Sequence, residues 1–598
     1  MKLTSAWPGT LQMCLAALLG SAFMSHSADI KHPPQSRPAL RHPVSLALRP
    51  DANRAFTANE RSGTVSMVDL RSRSVVDEFP SGAGTSHVTL LPDGHHLLAT
   101  STAAHELVLL ASSDTRVWKV AGLKVASHPV SVCVSPDGGR CFVASLWSRR
   151  LSVVDLNLNS EPPSLRLEKV IDLPFAPRLT VFLKRERKLL LMDSFGGNMA
   201  VVNPERGELE RAIQLPAHNI RGLALTPDGR SLWLAHQILR PSATTLREDI
   251  HWGILMANVV RVLRIDALLD PAADPLLGSD LFFLGQPGRG AGDPAGLALM
   301  PDGTVMVALA GVDEIAWKSP GQVRFNRLRV GNRPTTITAD PRSGHSLVVN
   351  SFSDSITVVD TLGGTVDAEI PLGPRPEPGP IDLGERLFHD ARLSHDGWMS
   401  CHSCHTDGHS NHLLADTLGD GSYGAPKRVL SLLGIDGTEP FGWTGVVATL
   451  EEQIRKSIAT TMRGLPPSDE QVHALTAYVK SLRPPPALAE ARDAIGEPVA
   501  RGRLVFEQLR CNRCHPPPRF TMPKTYAVGL SDEAGNSAFN PPSLIGVSQR
   551  DAFFHDGRST NLREAIDHFV RESGASLDNQ AGLDLLAFLE ALGISQPD

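Results

Sequence analysis

The sequence predicts a multidomain chain: an all-β propeller of seven blades, followed by a mainly α region of two tandem modules. Three observations predict it: a strand–turn–strand unit recurring from about residue 40 to 372, a proline-rich break at 373–380, and a different repeat beyond the break. A chain of 598 residues is too long for one hydrophobic core. Its 41% hydrophobic and 20% charged content is ordinary for a globular protein. A net charge of −6 and a pI near 6.4 leave no basic field to neutralise phosphates, so nucleic acid is excluded as a partner.

The N-terminus has the layout of an export signal. Lys2 precedes an apolar run at 11–23, and Ser25 and Ser27 are spaced for cleavage, so a signal peptide is expected at 1–27 and the mature protein in the periplasm. An uncleaved anchor is the competing reading. No other stretch reaches the length of a membrane span.

The propeller is expected over 40–372. Its clearest element is a strand, a Pro-Asp-Gly turn and a second strand, with turns at Pro92-Asp93-Gly94, Pro136-Asp137-Gly138, Pro227-Asp228-Gly229 and Pro301-Asp302-Gly303. A further strand ending in Asp follows in several units, at Asp69, Asp155 and Asp360. Unit starts fall near Pro43, His87, Pro129, Pro177, Arg221, Pro294 and Pro334, and most spacings are roughly those of a four-stranded blade. The repeats resemble YVTN-type propellers of exported proteins. The interval from Arg221 to Pro294 is too long, so an insertion is expected around 236–293. Its His236, His251 and Trp252 are candidates to line a partner or substrate surface, the alternative being a loop packed on its own blade. Cys133 and Cys141 lie in one hairpin and read either as a disulfide or as two small buried side chains.

Five prolines (Pro371, Pro374, Pro376, Pro378 and Pro380) end the sheet pattern and mark a linker at 373–380. Beyond it Ser468 caps a helix with Gln471, and Val472, Leu475, Val479 and Leu482 recur at helical spacing. Leu585, Leu586, Leu589 and Leu592 mark another helix, stopped by Gly593.

Two Cys-x-x-Cys-His motifs carry the chemistry: Cys401, Cys404 and His405, then Cys511, Cys514 and His515. Two thiols at this spacing form thioethers to haem vinyl groups while the adjacent His reaches the iron, so two covalently bound haem c groups are expected, with His405 and His515 as proximal ligands. The flanks repeat as well. Ser431-Leu432-Leu433-Gly434-Ile435 matches Ser543-Leu544-Ile545-Gly546-Val547, and Gly445, Leu450, Glu452 and Ile454 match Gly557, Leu562, Glu564 and Ile566 at one constant offset. Gly384 and Leu387-Phe388 correspond to Gly502 and Val505-Phe506. Two cytochrome c modules of one design are therefore expected at 381–483 and 495–598.

The run from Leu383 to Ser394 resembles the entry signature of the bacterial di-haem cytochrome c peroxidases and of MauG. Phe553-Phe554-His555-Asp556-Gly557-Arg558 is similar to their second-module signature. The resemblance implies an enzyme in which the first haem reacts with peroxide and the second relays electrons. It places Trp443 between the haems as an electron conduit and Gln453 in the distal pocket. Peroxide cleavage needs an open iron site and groups that move a proton between its oxygens. The family's distal glutamate is missing, because its place reads Thr460-Thr461-Met462-Arg463; Glu451 or Glu452 is a substitute. Phe569 stands where the second haem's distal ligand is expected and cannot bind iron, which leaves His568 or Met522 as candidates, or an open site. His402, His409 and His412 surround the first motif, either as a releasable ligand or as exposed loop residues. The family's inter-haem calcium is put in doubt by Arg428 and Arg550, which occupy the stretches expected to supply its oxygen ligands.

The expected function is a peroxidase-like oxidoreductase that reduces hydrogen peroxide, taking electrons from a small donor protein or from quinol. One alternative is MauG-like, peroxide-dependent oxidation of a protein substrate docked on the propeller; the other is a non-enzymatic electron-transfer cytochrome.

Overall fold

The computed structural model describes residues 39–593 except 341 and 362, so the expected signal peptide lies outside the described residues. Among the described residues the strands up to Pro371 form seven four-stranded antiparallel sheets, each in simple sequential order, and two short two-stranded sheets lie beyond them. The seven are the blades, with inner strands at Pro43–Leu48, Thr85–Leu90, Pro129–Val134, Pro177–Leu183, His218–Leu225, Pro294–Leu299 and Pro334–Ala339. No helix among the described residues is long and apolar enough to cross a membrane.

The middle strands are continuous apolar runs because a blade is buried on both faces. In His345–Asn350, Leu347 and Val349 face blade 1 while Val348 faces blade 6. In His96–Ser101, Leu97 and Ala99 face blade 1 and Leu98 faces blade 3. The ring closes by packing, not by a shared strand. Leu46, Ala55 and Val68 of blade 1 meet Leu347, Val349 and Ile370 of blade 7. The buried Asp354 carboxylate accepts from the backbone N–H of Arg41 at 3.1 Å and of His42 at 2.8 Å.

The expected insertion needs correction. Most of 236–293 is blade 5 itself, whose second and third strands, Ser231–Leu239 and Met256–Arg264, are nine residues each. What is added is a short helix, α1 (Arg247–His251), a second, α2 (Ile265–Leu269), and the loop before Pro294. His236 lines no surface: it is buried, next to Arg261. The hairpin cysteines are free thiols. Cys133 pairs across the strands with Phe142, and Cys141 with Val134, so their side chains point to opposite faces of the sheet.

The helical region contains α3 (Pro380–Phe388), α4 (Cys401–Cys404), α5 (Leu450–Lys456), α6 (Asp469–Ser481), α7 (Leu488–Ala491), α8 (Glu497–Gln508), α9 (Leu562–Glu572) and α10 (Asn579–Glu590). Ser468 caps α6 through Gln471, and Pro380, placed in the linker by composition, is the first residue of α3. The same crossing occurs twice, α3 on α6 and α8 on α10. A glycine permits each contact. A Cβ at Gly384 would lie 2.0 Å from the carbonyl oxygen of Ala474, and one at Gly502 would lie 1.9 Å from that of Asp584. The repeat seen in the sequence is thus a repeated close approach of two backbones.

Gly502→Ala is therefore expected to force α8 off α10 and cost about 1–3 kcal/mol. Gly496→Ala, whose Cβ would meet only Pro498 Cδ at 3.7 Å, should stay within about 0.5 kcal/mol. Thermal unfolding of the two variants side by side checks this.

Candidate functional site

The first Cys-x-x-Cys-His segment is set into one face of the propeller. Each inner strand begins at this face, and each turn between the second and third strands returns to it. Buried Asp293, just ahead of blade 6, accepts from Ser400 Oγ at 2.5 Å and from Ser403 Oγ at 2.6 Å, on either side of Cys401 and His402. Blade 5 adds His218, whose Nε2 lies 3.1 Å from the Ser403 carbonyl, and Asn258, whose amide donates to the Trp398 carbonyl at 2.9 Å. Arg178 of blade 4 and Arg221 of blade 5 (2.8 Å) both pair with Asp407, which also receives His402 Nε2 at 3.1 Å. The two cations hold the Asp407 carboxyl well below the usual carboxylate range although burial opposes them. Apolar contacts are shared too: Ile250, Leu255 and Met256 of blade 5 lie in one core with Trp398, Phe441, Ile458 and Met462 of the first module, and Cys401 and Cys404 pack against it.

The second module rests on blade 3 at the same face. Arg149 pairs with Asp551 at 2.9 Å, and Gln549 Nε2 donates to the Trp147 carbonyl at 2.8 Å. The chain's own helical region is thus seated on this face of the propeller.

The motif residues fit haem c. His405 Nδ1 lies 2.9 Å from the Leu430 carbonyl, and His515 Nδ1 lies 2.9 Å from that of Phe520. A carbonyl can only accept, so each Nδ1 carries the proton and each Nε2 keeps the lone pair an iron needs. Burial pushes both imidazoles down to about 4, which keeps them neutral. Cys511 packs against an apolar core of its own, with Phe506, Phe553, Phe588 and Leu592.

Trp443 lies on the seam between the modules. Its ring packs with Leu530 and Phe539 of the second module and Leu430 of the first, 6.4 Å from the His555 ring. Its Nε1 donates to the Arg428 carbonyl at 2.8 Å, two residues before the Leu430 carbonyl that orients His405. Its own carbonyl accepts from Asn540 N at 2.7 Å. The buried Arg428 guanidinium stands 5.2 Å from the Trp443 ring and contacts the Phe554 carbonyl at 3.3 Å. Burial, and then Arg550, push Arg428 down to about 9. A cation thus occupies this seam beside the tryptophan.

The remaining candidates lie on both modules. Gln453 is half-buried on α5, where its amide donates to Ser457 Oγ at 3.0 Å. Glu451 and Glu452 are exposed on α5; Met462 is buried in the first module's core, and Arg463 binds the Thr245 carbonyl. The three histidines are not exposed loop residues. His402 is held between Asp293 and Asp407. His409 lies 2.8 Å from Ser431 Oγ and 4.8 Å, ring to ring, from Phe195 of blade 4. His412 is enclosed near Asp551, 3.6 Å away. His568 Nε2 donates to the Val528 carbonyl at 2.9 Å, so its role as an iron ligand requires that bond to break or Nδ1 to serve. Phe569 is 44% exposed. Met522 Sδ accepts from Tyr526 Oη at 2.6 Å.

The sequence model of the di-haem cytochrome c peroxidase family matches residues 378–494. "Methylamine utilization protein MauG" of Methylorubrum extorquens is 28% identical over 281 residues, covering 36% of this chain and 78% of that protein. Cytochrome c551 peroxidase of Nitrosomonas europaea is 24% identical over 312 residues, 42% of this chain and 93% of that protein. Hydrazine synthase of Kuenenia stuttgartiensis is similar in structure with a TM-score of 0.45 and 18% identity, over 55% of this chain and 97% of that one. The chain thus joins a seven-bladed propeller to a helical region that is similar, over residues 378–494, to the di-haem cytochrome c peroxidase family.

Asp407→Ala leaves Arg178 and Arg221 facing each other without their counter-charge. A loss of about 2–4 kcal/mol is expected, below the value for a fully enclosed pair because Asp407 is 26% exposed. Because the folded pKa of Asp407 is depressed, its contribution is complete above the ordinary carboxylate pKa and fades as the pH falls through the folded value. Unfolding midpoints measured across acidic pH should therefore converge for parent and variant.

Proposed function

We propose that the chain is a periplasmic di-haem c-type cytochrome of peroxidase type, reducing hydrogen peroxide with electrons that enter through the second haem. The observation that carries this reading is the seam: Trp443 touches both modules, and its indole bonds to the segment that orients His405. Cys401, Cys404 and His405 would hold the first haem, and Cys511, Cys514 and His515 the second. When bound, these groups supply the redox chemistry and the iron that accepts a peroxide oxygen.

The chain's own residues do the rest. Leu430 and Phe520 carbonyls fix the imidazole tautomers. The core around Phe441, Leu450, Ile454 and Ile458 excludes water from the first site. Gln453 is the nearest fit to a polar group that orients a bound oxygen, with Ser457 steadying its amide. Arg428 places fixed positive charge beside Trp443, which favours an electron-rich indole and disfavours a divalent cation at the same place. Export on the apolar run at 11–23 belongs to the same reading.

A MauG-like second reading is favoured by Phe569, which offers no ligand atom where a peroxidase would need methionine. A protein substrate would then approach a surface other than the propeller face that seats the helical region.

In full-length protein carrying both haems, Trp443→Phe keeps an aromatic ring and removes the Nε1 donor. It is expected to lower kcat for peroxide by about tenfold or more with KM for peroxide little changed. The double variant Cys511→Ala with Cys514→Ala should retain the first haem's spectrum and lose steady-state turnover. Parent protein that consumes no peroxide with any electron donor rules the peroxidase reading out, and a peroxide-dependent mass change on a co-purifying protein selects the second.

A further inference from the structure

Away from the two motifs, two imidazoles and a carboxylate converge where blade 5 meets the first module. His251 closes α1, while His395 and Asp396 lie on the turn ahead of the first Cys-x-x-Cys-His segment. His251 Nδ1 is 2.7 Å from Asp396 Oδ2, and His395 Nε2 is 3.3 Å from the same oxygen. The two rings stack with centroids 5.9 Å apart. Among the described residues, this is the one group of three such side chains whose ligand atoms all lie within 4.8 Å of one another.

We propose that His251, His395 and Asp396 bind a divalent transition-metal ion of the zinc class, which pins blade 5 to the first module. A tetrahedral zinc ion with bonds of about 2.0–2.1 Å sets its ligand atoms about 3.3 Å apart. The His395–Asp396 separation already has that value. The His251–Asp396 separation must open by roughly half an ångström to reach it. His251, with 38% of its side chain exposed, has room to turn. Two imidazoles and one carboxylate form a mixed nitrogen and oxygen set that suits zinc and leaves a fourth position for water.

The two ligands on the turn are already fixed. The Asp396 carbonyl accepts from Gly290 N at 2.6 Å, the Gly397 carbonyl from Gly292 N at 3.0 Å, and His395 N donates to the Met462 carbonyl at 2.9 Å. Arg247 supplies a further sign. Its Nε can only donate, and it lies 3.2 Å from His395 Nε2, so that nitrogen presents its lone pair. A lone pair facing a carboxylate calls for a cation between or beside them. The exposed guanidinium now fills that place and is free to swing outward when a metal takes it over.

The test is calorimetric titration of chelator-stripped, full-length, haem-loaded protein with Zn2+, and separately with Mg2+. Parent protein is expected to bind one Zn2+ that His251→Ala and Asp396→Asn each weaken by about a hundredfold or more. Mg2+ should not bind, and Zn2+ should raise Tm in the parent but in neither variant. Asparagine suits the left-handed backbone of Asp396, at φ 58°, and His251 is the last residue of α1, so both variants should keep the parent's haem spectrum, their metal-free Tm lowered only by the loss of the His251–Asp396 contact. No Zn2+ binding by the parent, or binding equally strong in both variants, overturns the proposal.

Discussion

A buried carboxylate that belongs to the propeller holds the helical region in place. Asp293 reaches Ser400 and Ser403 on the two sides of Cys401 and His402, and a charged hydrogen bond in such a place is worth roughly 1.5–3 kcal/mol. Around it, Asp407 draws Arg178 and Arg221 from two neighbouring blades, and His402 bridges the two carboxylates. Because every group in this network is paired across the boundary, neither half of the molecule can be removed without leaving buried charge behind. The propeller therefore acts as a wall around the first Cys-x-x-Cys-His segment. A propeller suits that task because its inner strands and turns converge on one face, where residues from several blades can meet a single short helix.

From that anchor the rest of the helical region follows. Fixing α4 fixes His405, and the Leu430 carbonyl that orients it leads through two residues to Arg428 and Trp443. The second module repeats the first, with Gly384 and Gly502 at equivalent helix crossings, and sits against blade 3 through Arg149 and Gln549. Its position beside Trp443 is thus set from both ends. The buried Arg428 guanidinium places positive charge on the seam beside Trp443.

Much of this was legible in the sequence where structure is local. The seven unit starts lie at or within a few residues of the inner strands because a blade is built from neighbouring strands joined by tight turns, and turns have chemical signatures. The helix cap at Ser468 and the paired glycines were legible for the same reason. Blade 5 was misread because its long strands carry their apolar alternation past the usual turn, which made sheet look like insertion. His402, His409 and His412 looked like polar loop residues. What buries them is Asp293, Phe195 and Gln549, which lie far away in sequence, and no periodicity reports such contacts. The same limit hid Asp407 with its two arginines, and the meeting of His251 with Asp396.

The most direct measurement of the central claim is the visible and electron paramagnetic resonance spectrum of the full-length protein, oxidised and then reduced by one electron, before and after peroxide. Two covalently held haems are expected, one of which becomes able to bind a small ligand such as cyanide after the first electron, with peroxide returning both to the oxidised form. Fewer than two haems, or two that stay six-coordinate in every state and ignore peroxide, would contradict the account.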